Sequence, residues 1–299
     1  MTMSWNQGRL ITLFMICAQI FLLRPLASLG NAIPDPGTKE THMSATPVSM
    51  QVSTTPTPNH NATSPVLEFN YVKGSQGGPD HWALVSPQWQ LCRDGREQSP
   101  IAIDMAKPKI NEDLGNLYYT YRTSTGNLIN VGHTVQVNFG TNAGSLVLGA
   151  DTYYLKQLHF HTPSEHVINN VRFPLEMHLV HQTSDGKKRA VIAVLFWKSC
   201  SGQFFDQLVD LLPSVVHKDA NVDTGPLSFE KLHLGPNYAR YRGSLTTPPC
   251  TQSVSWTVEL SQRNTITQSQ LDALKTVITE PNARPVQRNI NSVETYCDC

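Results

Sequence analysis

The chain has 299 residues, with 23 Lys plus Arg against 23 Asp plus Glu, and 39% of its residues are hydrophobic. A formal charge of zero argues against a basic surface built to neutralise phosphates, so nucleic acid is not an expected partner. The apolar content excludes a wholly disordered chain, and the pattern excludes a polytopic membrane protein.

Arg9 precedes an apolar run from Leu10 to Leu23, and small residues follow at Ala27, Ser28, Gly30 and Ala32. This is the layout of a secretory signal peptide over residues 1–30. The run is shorter than the ~20 residues a spanning helix needs, so cleavage and secretion are expected rather than a stable membrane span. Residues 31–66 contain no aromatic residue, and Pro, Thr and Ser supply 6, 7 and 4 of the 36 positions. Such a segment cannot offset chain entropy by burial and reads as a linker or stalk. Asn61-Ala62-Thr63 in this stalk is a glycosylation sequon.

From about residue 67 to 290 the pattern is one large, mainly β domain of the α+β kind. His133–Phe139, Ser145–Leu148, Tyr153–His161, Leu175–His181, Ala190–Trp197 and Val254–Leu260 read as strands. Ala190–Trp197 is apolar throughout, as in a strand buried on both faces. Helical signals are few. One covers Phe204–Leu212 and stops at Pro213; another follows a capping box at Thr267–Gln270. Residues 291–299 form a tail ending Cys-Asp-Cys.

Without Cys17, which leaves with the signal peptide, five cysteines remain: Cys92, Cys200, Cys250, Cys297 and Cys299. An odd number in a secreted protein implies a free thiol or a bridge between chains. There is no CxxC pair, so any metal chemistry must come from histidine.

Histidine is arranged for it. His159 and His161 stand at i and i+2 of one strand and share a face. His178 lies on a second strand with Glu176 and Val180 on its own face. Three histidines on adjacent strands supply three legs of a tetrahedral zinc site and leave the fourth open, the pattern of a catalytic site. Gln157 and Glu176 each precede a histidine by two residues, placed to accept its second ring N–H. His159-x-His161-x-x-x-Glu165 also matches the first metal motif of cupins, but the glycine expected beyond it is missing between His166 and Arg172.

These segments occur in a familiar order with His81-Trp82, Arg96-Glu-Gln-Ser-Pro100, Gly132-His133, Ser164-Glu-His166 and Tyr241-Arg-Gly-Ser-Leu-Thr-Thr-Pro-Pro249. From about Phe69 to Gln287 the chain resembles the α-class carbonic anhydrases. The resemblance implies a large central, mostly antiparallel twisted sheet with short peripheral helices around a zinc cleft. It implies that His159, His161 and His178 hold Zn2+ and that Thr246 accepts a hydrogen bond from zinc-held hydroxide. Glu165 resembles the glutamate that receives the threonine's proton, and His133 the proton shuttle, with Tyr71 beside it. Val180, Val191, Leu245, Val254 and Trp256 resemble the wall that holds carbon dioxide, and Thr247 would line the bicarbonate site.

The expected activity is therefore reversible hydration of carbon dioxide, a small-molecule substrate. The alternative is a storage or binding protein on the same fold with little catalysis. Secreted members join cysteines at the positions of Cys92 and Cys250, so the resemblance predicts that pair. Cys200, Cys297 and Cys299 have no such precedent; the Cys-Asp-Cys tail invites pairing with Cys200 or with another subunit, the latter giving a disulfide-linked homodimer.

Overall fold

The structure, a computed structural model, describes residues 68–140 and 142–298. The expected signal peptide, the stalk with Asn61, and Cys299 lie outside the described residues.

A twelve-stranded sheet forms the body of the domain. Its main path uses nine strands: β1 (Ser124–Asn130), β2 (Val135–Phe139), β3 (Asp151–His161), β4 (Leu175–Gln182), β5 (Arg189–Lys198), β6 (Asn221–Leu227), β7 (Tyr238–Ser244), β8 (Gln252–Glu259) and β9 (Glu294–Tyr296). Their spatial order is β6-β1-β2-β3-β4-β5-β8-β7-β9. Neighbours are antiparallel except β5 and β8, which run parallel.

The central strand β5 explains the sheet's two-sided core. Ala190, Ile192, Val194 and Phe196 point into one apolar cluster, which also holds Phe160, Phe205, Leu208 and Leu274. Val191, Ala193 and Leu195 point into a second cluster with Trp256, Val254 and Tyr241. Side chains alternate along a strand, so a continuous apolar run is needed where both faces are covered. Each such buried aliphatic side chain contributes about 1.5–3 kcal/mol of transfer free energy.

Peripheral helices are short. The capping box forms as expected: the Thr267 side chain accepts from the Gln270 N–H, and the Gln270 side chain returns to the Thr267 N–H, opening the helix Gln268–Lys275. The apolar run Phe204–Leu212 is not one helix. It folds as an α-turn over Asp206–Val209 and a 3-10 turn over Leu212–Val215. Pro213 sits in the first turn of the second piece, where its missing N–H costs nothing, so it opens a turn instead of ending the helical stretch.

One further element departs from the sequence reading. Glu294–Tyr296 in the expected tail pairs with β7 as β9, so the folded unit runs past residue 290. The connection between β3 and β4 carries its own small hairpin, Val167–Ile168 against Val171–Arg172. Asn169 and Asn170 turn it with φ of 50° and 63°, a left-handed conformation that asparagine tolerates.

Cys92 and Cys250 are joined, tying the N-terminal turns to the loop after β7. Cys200 is also engaged in a disulfide, and Cys297 is half-buried. The Cys92–Cys250 bridge is intramolecular, and among the described residues nothing supports the expected bridge between two subunits. No helix among the described residues is long and apolar enough to cross a membrane.

Candidate metal centre

Strands β3 and β4 bring the histidines together. His159 lies directly opposite His178 in the antiparallel register, and His161 lies opposite Glu176. The ring centroids are 5.1 Å apart for His159 and His161, 5.0 Å for His159 and His178, and 4.5 Å for His161 and His178. One nitrogen from each ring falls within 4.8 Å of the other two.

The remaining ring nitrogens are all held from behind. His159 Nδ1 lies 2.8 Å from Gln157 Oε1, His161 Nδ1 2.7 Å from the Asn282 carbonyl, and His178 Nε2 2.6 Å from Glu176 Oε1. Those partners are acceptors, so each of these nitrogens carries the proton. The acceptor lone pairs of His159 Nε2, His161 Nε2 and His178 Nδ1 then converge. His161 Nε2 is buried with no hydrogen-bond partner, and His178 Nδ1 is 3.3 Å from His159 Nε2. Three inward lone pairs on neutral imidazoles form a donor set for zinc, and these residues fit that ion.

Glu176 anchors the back of the site. Its Oε2 accepts the backbone N–H groups of Glu165 and His166, while Oε1 is 2.6 Å from both His166 Nδ1 and His178 Nε2. Burial pushes its carboxyl upward, but His166 and His178 outweigh that and hold it well below the ordinary range. His166 Nε2 continues to Tyr241 Oη at 2.8 Å, and the Tyr241 hydroxyl donates to Ser99 Oγ. A buried chain of polar groups thus runs from His178 to Ser99.

Glu165 and Thr246 complete the buried surroundings of the histidines. Glu165 Oε1 accepts the Arg284 N–H at 2.8 Å, and Oε2 lies 3.5 Å from His161 Nε2. Burial raises its carboxyl to about 7, against the lowering influence of His178, the Arg284 N–H and the Thr246 hydroxyl. Thr246 is buried in the loop after β7, and Thr247 beside it is half-buried. The wall expected around carbon dioxide is contiguous: Val191, Val254 and Trp256 form its core, with Val180 and Leu245 packed against them. The Trp256 ring lies 4.9 Å from that of His178.

His133 sits apart from the three histidines, in a turn between β1 and β2. Phe69 and Tyr71 cover it at centroid distances of 4.7 and 6.2 Å. A cavity of about 250 Å³ opens beside it, with Tyr71, Lys218 and Asn282 among its walls. Burial first, then the proximity of His161 and of Lys218, lower His133 to about 4. The Tyr71 hydroxyl is enclosed and has no hydrogen-bond partner.

Sequence reasoning missed Asn282 and Arg284. Asn282 gives its carbonyl to His161, its Oδ1 to the Thr162 N–H, and its Nδ2 to the carbonyls of His133 and Phe160. Arg284 is 1% exposed and donates to Gln98 Oε1 and to the carbonyls of Ser99 and Cys92. Neither residue lies in a strand or helix, so no periodicity pointed to them. His166 belonged to a recognised segment, but no role was assigned to it.

The family model for eukaryotic-type carbonic anhydrases matches residues 77–296. Dioscorin DB3L of Dioscorea polystachya is 39% identical over 233 residues, covering 76% of this chain and 85% of that protein. Alpha carbonic anhydrase 7 of Arabidopsis thaliana is 37% identical over 234 residues, covering 77% and 84%. The crystal structure of dioscorin complexed with ascorbate superimposes with a TM-score of 0.73 at 38% identity, covering 78% of this chain and all of that one. The sheet, the order of its motifs and the residues matched agree, and the chain belongs to the α-class carbonic anhydrase family.

Proposed function

We propose that this chain is a zinc-dependent catalyst of the reversible hydration of carbon dioxide, acting outside the cell. The observation that carries the reading is the enclosed, partnerless Nε2 of His161 beside two other inward ring nitrogens whose far sides are all held. His159, His161 and His178 would hold the ion. A zinc ion in such a site supplies Lewis-acid activation of water near neutral pH.

The chain's own residues do the rest. Gln157, Asn282 and Glu176 keep the three rings in one tautomer and one orientation. The Thr246 hydroxyl passes its proton toward Glu165, which leaves the threonine oxygen free to accept from water and to orient it. The Arg284 N–H fixes Glu165 for that duty. Val180, Val191, Leu245, Val254 and Trp256 offer an apolar bed for a nonpolar substrate, and Thr247 offers a hydroxyl to the charged product.

His133 is the group positioned to carry the released proton outward. Its lowered basicity makes it a weak proton acceptor at neutral pH. Secretion follows from residues 1–30, with Asn61 as the glycosylation site in the stalk.

Stopped-flow hydration assays on the purified mature protein, before and after zinc removal, test this reading. Turnover that disappears with the metal and returns with zinc supports it. A folded, zinc-loaded sample without turnover would overturn it in favour of a binding or storage role.

A further inference from the structure

A recess of about 260 Å³ lies beyond the end of β5, where separate stretches of chain meet. Ser199 and Ser201 follow β5, Lys231 and His233 lie between β6 and β7, and Arg263 and Thr265 flank Asn264 at the short strand Asn264–Ile266. Asn264 is 2% exposed and braces the arrangement. Its Oδ1 accepts the His233 N–H at 2.9 Å, and its Nδ2 donates to the His233 carbonyl at 2.7 Å. The short strand runs parallel to β5 with Asn264 opposite Phe196, and the Ser199 N–H donates to the Ile266 carbonyl. Backbone pairing and one buried amide therefore hold basic and hydroxyl side chains around a common space.

Lys231, His233 and Arg263 all line the recess, and no carboxylate does. None of these side chains takes part in a hydrogen bond or ion pair among the described residues, and the same holds for the hydroxyls of Ser199, Ser201 and Thr265. Acids on adjoining elements are engaged elsewhere. Asp206 Oδ1 accepts the Gln270 amide, the buried Glu259 accepts the Ser261 N–H, and Glu230 lines a separate recess together with Arg122. Lys231 and Arg263 are exposed and remain solvated, so the consequence comes from convergence and not from burial. Like charges gathered around a concave surface repel one another and focus a positive field into the space between them.

We propose that this recess binds a tetrahedral dianionic oxyanion, the phosphate or sulfate group of an ester. Lys231 supplies a point charge and Arg263 a fork of donors, and His233 offers a ring N–H in either protonation state. The hydroxyls of Ser199, Ser201 and Thr265 serve the oxygens that the cations leave. Two fixed positive charges on separate segments match a dianion, whereas a carboxylate would engage a single fork. The buried rings of Phe196 and Phe204 give the recess an apolar part for the organic side of the ester. The site shares no residue with the metal centre and does not depend on catalysis.

Nuclear magnetic resonance on 15N-labelled full-length mature protein tests it. The His233 ring signal, assigned with His233→Gln, is followed while inorganic phosphate replaces chloride at constant ionic strength and constant, mildly alkaline pH; sulfate forms a second arm. The signal is expected to shift and saturate with at least one of the two anions, and the tighter one identifies the ester class. Arg263→Gln and Lys231→Gln each remove a charge-assisted bond and should weaken that binding by about tenfold or more. Arg122→Gln removes an equal charge from the neighbouring recess and should leave the affinity unchanged. Failure to saturate with either anion, equal losses in Arg122→Gln and Arg263→Gln, or wild-type affinity in both recess variants overturns the proposal. If one recess variant does not fold, the other and the wild-type titration decide.

Discussion

His159 and His178 face each other across β3 and β4 in direct register, with His178 Nδ1 3.3 Å from His159 Nε2. Both nitrogens are acceptors when the far side of each ring carries its proton. Two lone pairs at that distance repel unless a proton or a cation lies between them. The sheet holds the arrangement open by backbone pairing, and Gln157 and Glu176 hold the tautomers.

Zinc should therefore stabilise the folded chain. A ligand that binds only the native state adds about 4 kcal/mol at a thousandfold excess over its Kd. The thermal midpoint of wild type should rise with zinc, and that of His178→Ala should not. Metal analysis after dialysis should find zinc retained by the first and lost from the second, with turnover lost as well.

Tyr241 stacks on Trp256, and its hydroxyl holds His166, which holds Glu176, which holds His178. Tyr241→Phe removes one hydroxyl from that buried chain and keeps the ring. Loss of a direct partner such as Glu176 weakens metal binding by about 10- to 100-fold, and Tyr241→Phe, two links further out, should weaken it by less. Competition with a chelator of known affinity measures this, and a circular dichroism spectrum unchanged from wild type separates it from misfolding.

The depressed basicity of His133 has two measurable results. Its folded value is about 4, below the unfolded value of 6.5, so on acidification the unfolded chain takes up the proton first. The stability held above pH 6.5 is lost as pH falls toward 4, and His133→Asn should flatten that part of a denaturation series against pH. In weak buffer, added imidazole should raise wild-type turnover because His133 is a poor base near pH 7. Phe69→Ala, which uncovers the ring, should move the His133 titration upward in a proton resonance experiment.

The Cys92–Cys250 bridge spans 158 positions. In the chain-entropy description a loop of that length is worth up to about 5 kcal/mol. Replacing both cysteines by Ala should lower the midpoint of urea unfolding and, because Cys250 follows the loop with Thr246, lower turnover under conditions where the chain remains folded.

Legibility in the sequence followed the range of each interaction. His159 and His161 share a strand face, and the Thr267 capping box closes within four residues, so local spacing revealed them. The apolar run in β5 predicted burial on both faces because one strand must serve two clusters. Asn282 and Arg284 reach their partners His161 and Glu165 across 121 and 119 positions, from a segment without regular structure. No local rule carries that information. The Phe204–Leu212 stretch shows the converse, where apolar spacing marked burial correctly while the backbone met the demand with two short turns.

The late position of Asn282 and Arg284 also sets the order of events during synthesis. The three histidines leave the ribosome long before the residues that lock His161 and Glu165. The contacts that fix His161 and Glu165 therefore come from the segment that follows the helix Gln268–Lys275, and a chain shortened before Asn282 cannot make them.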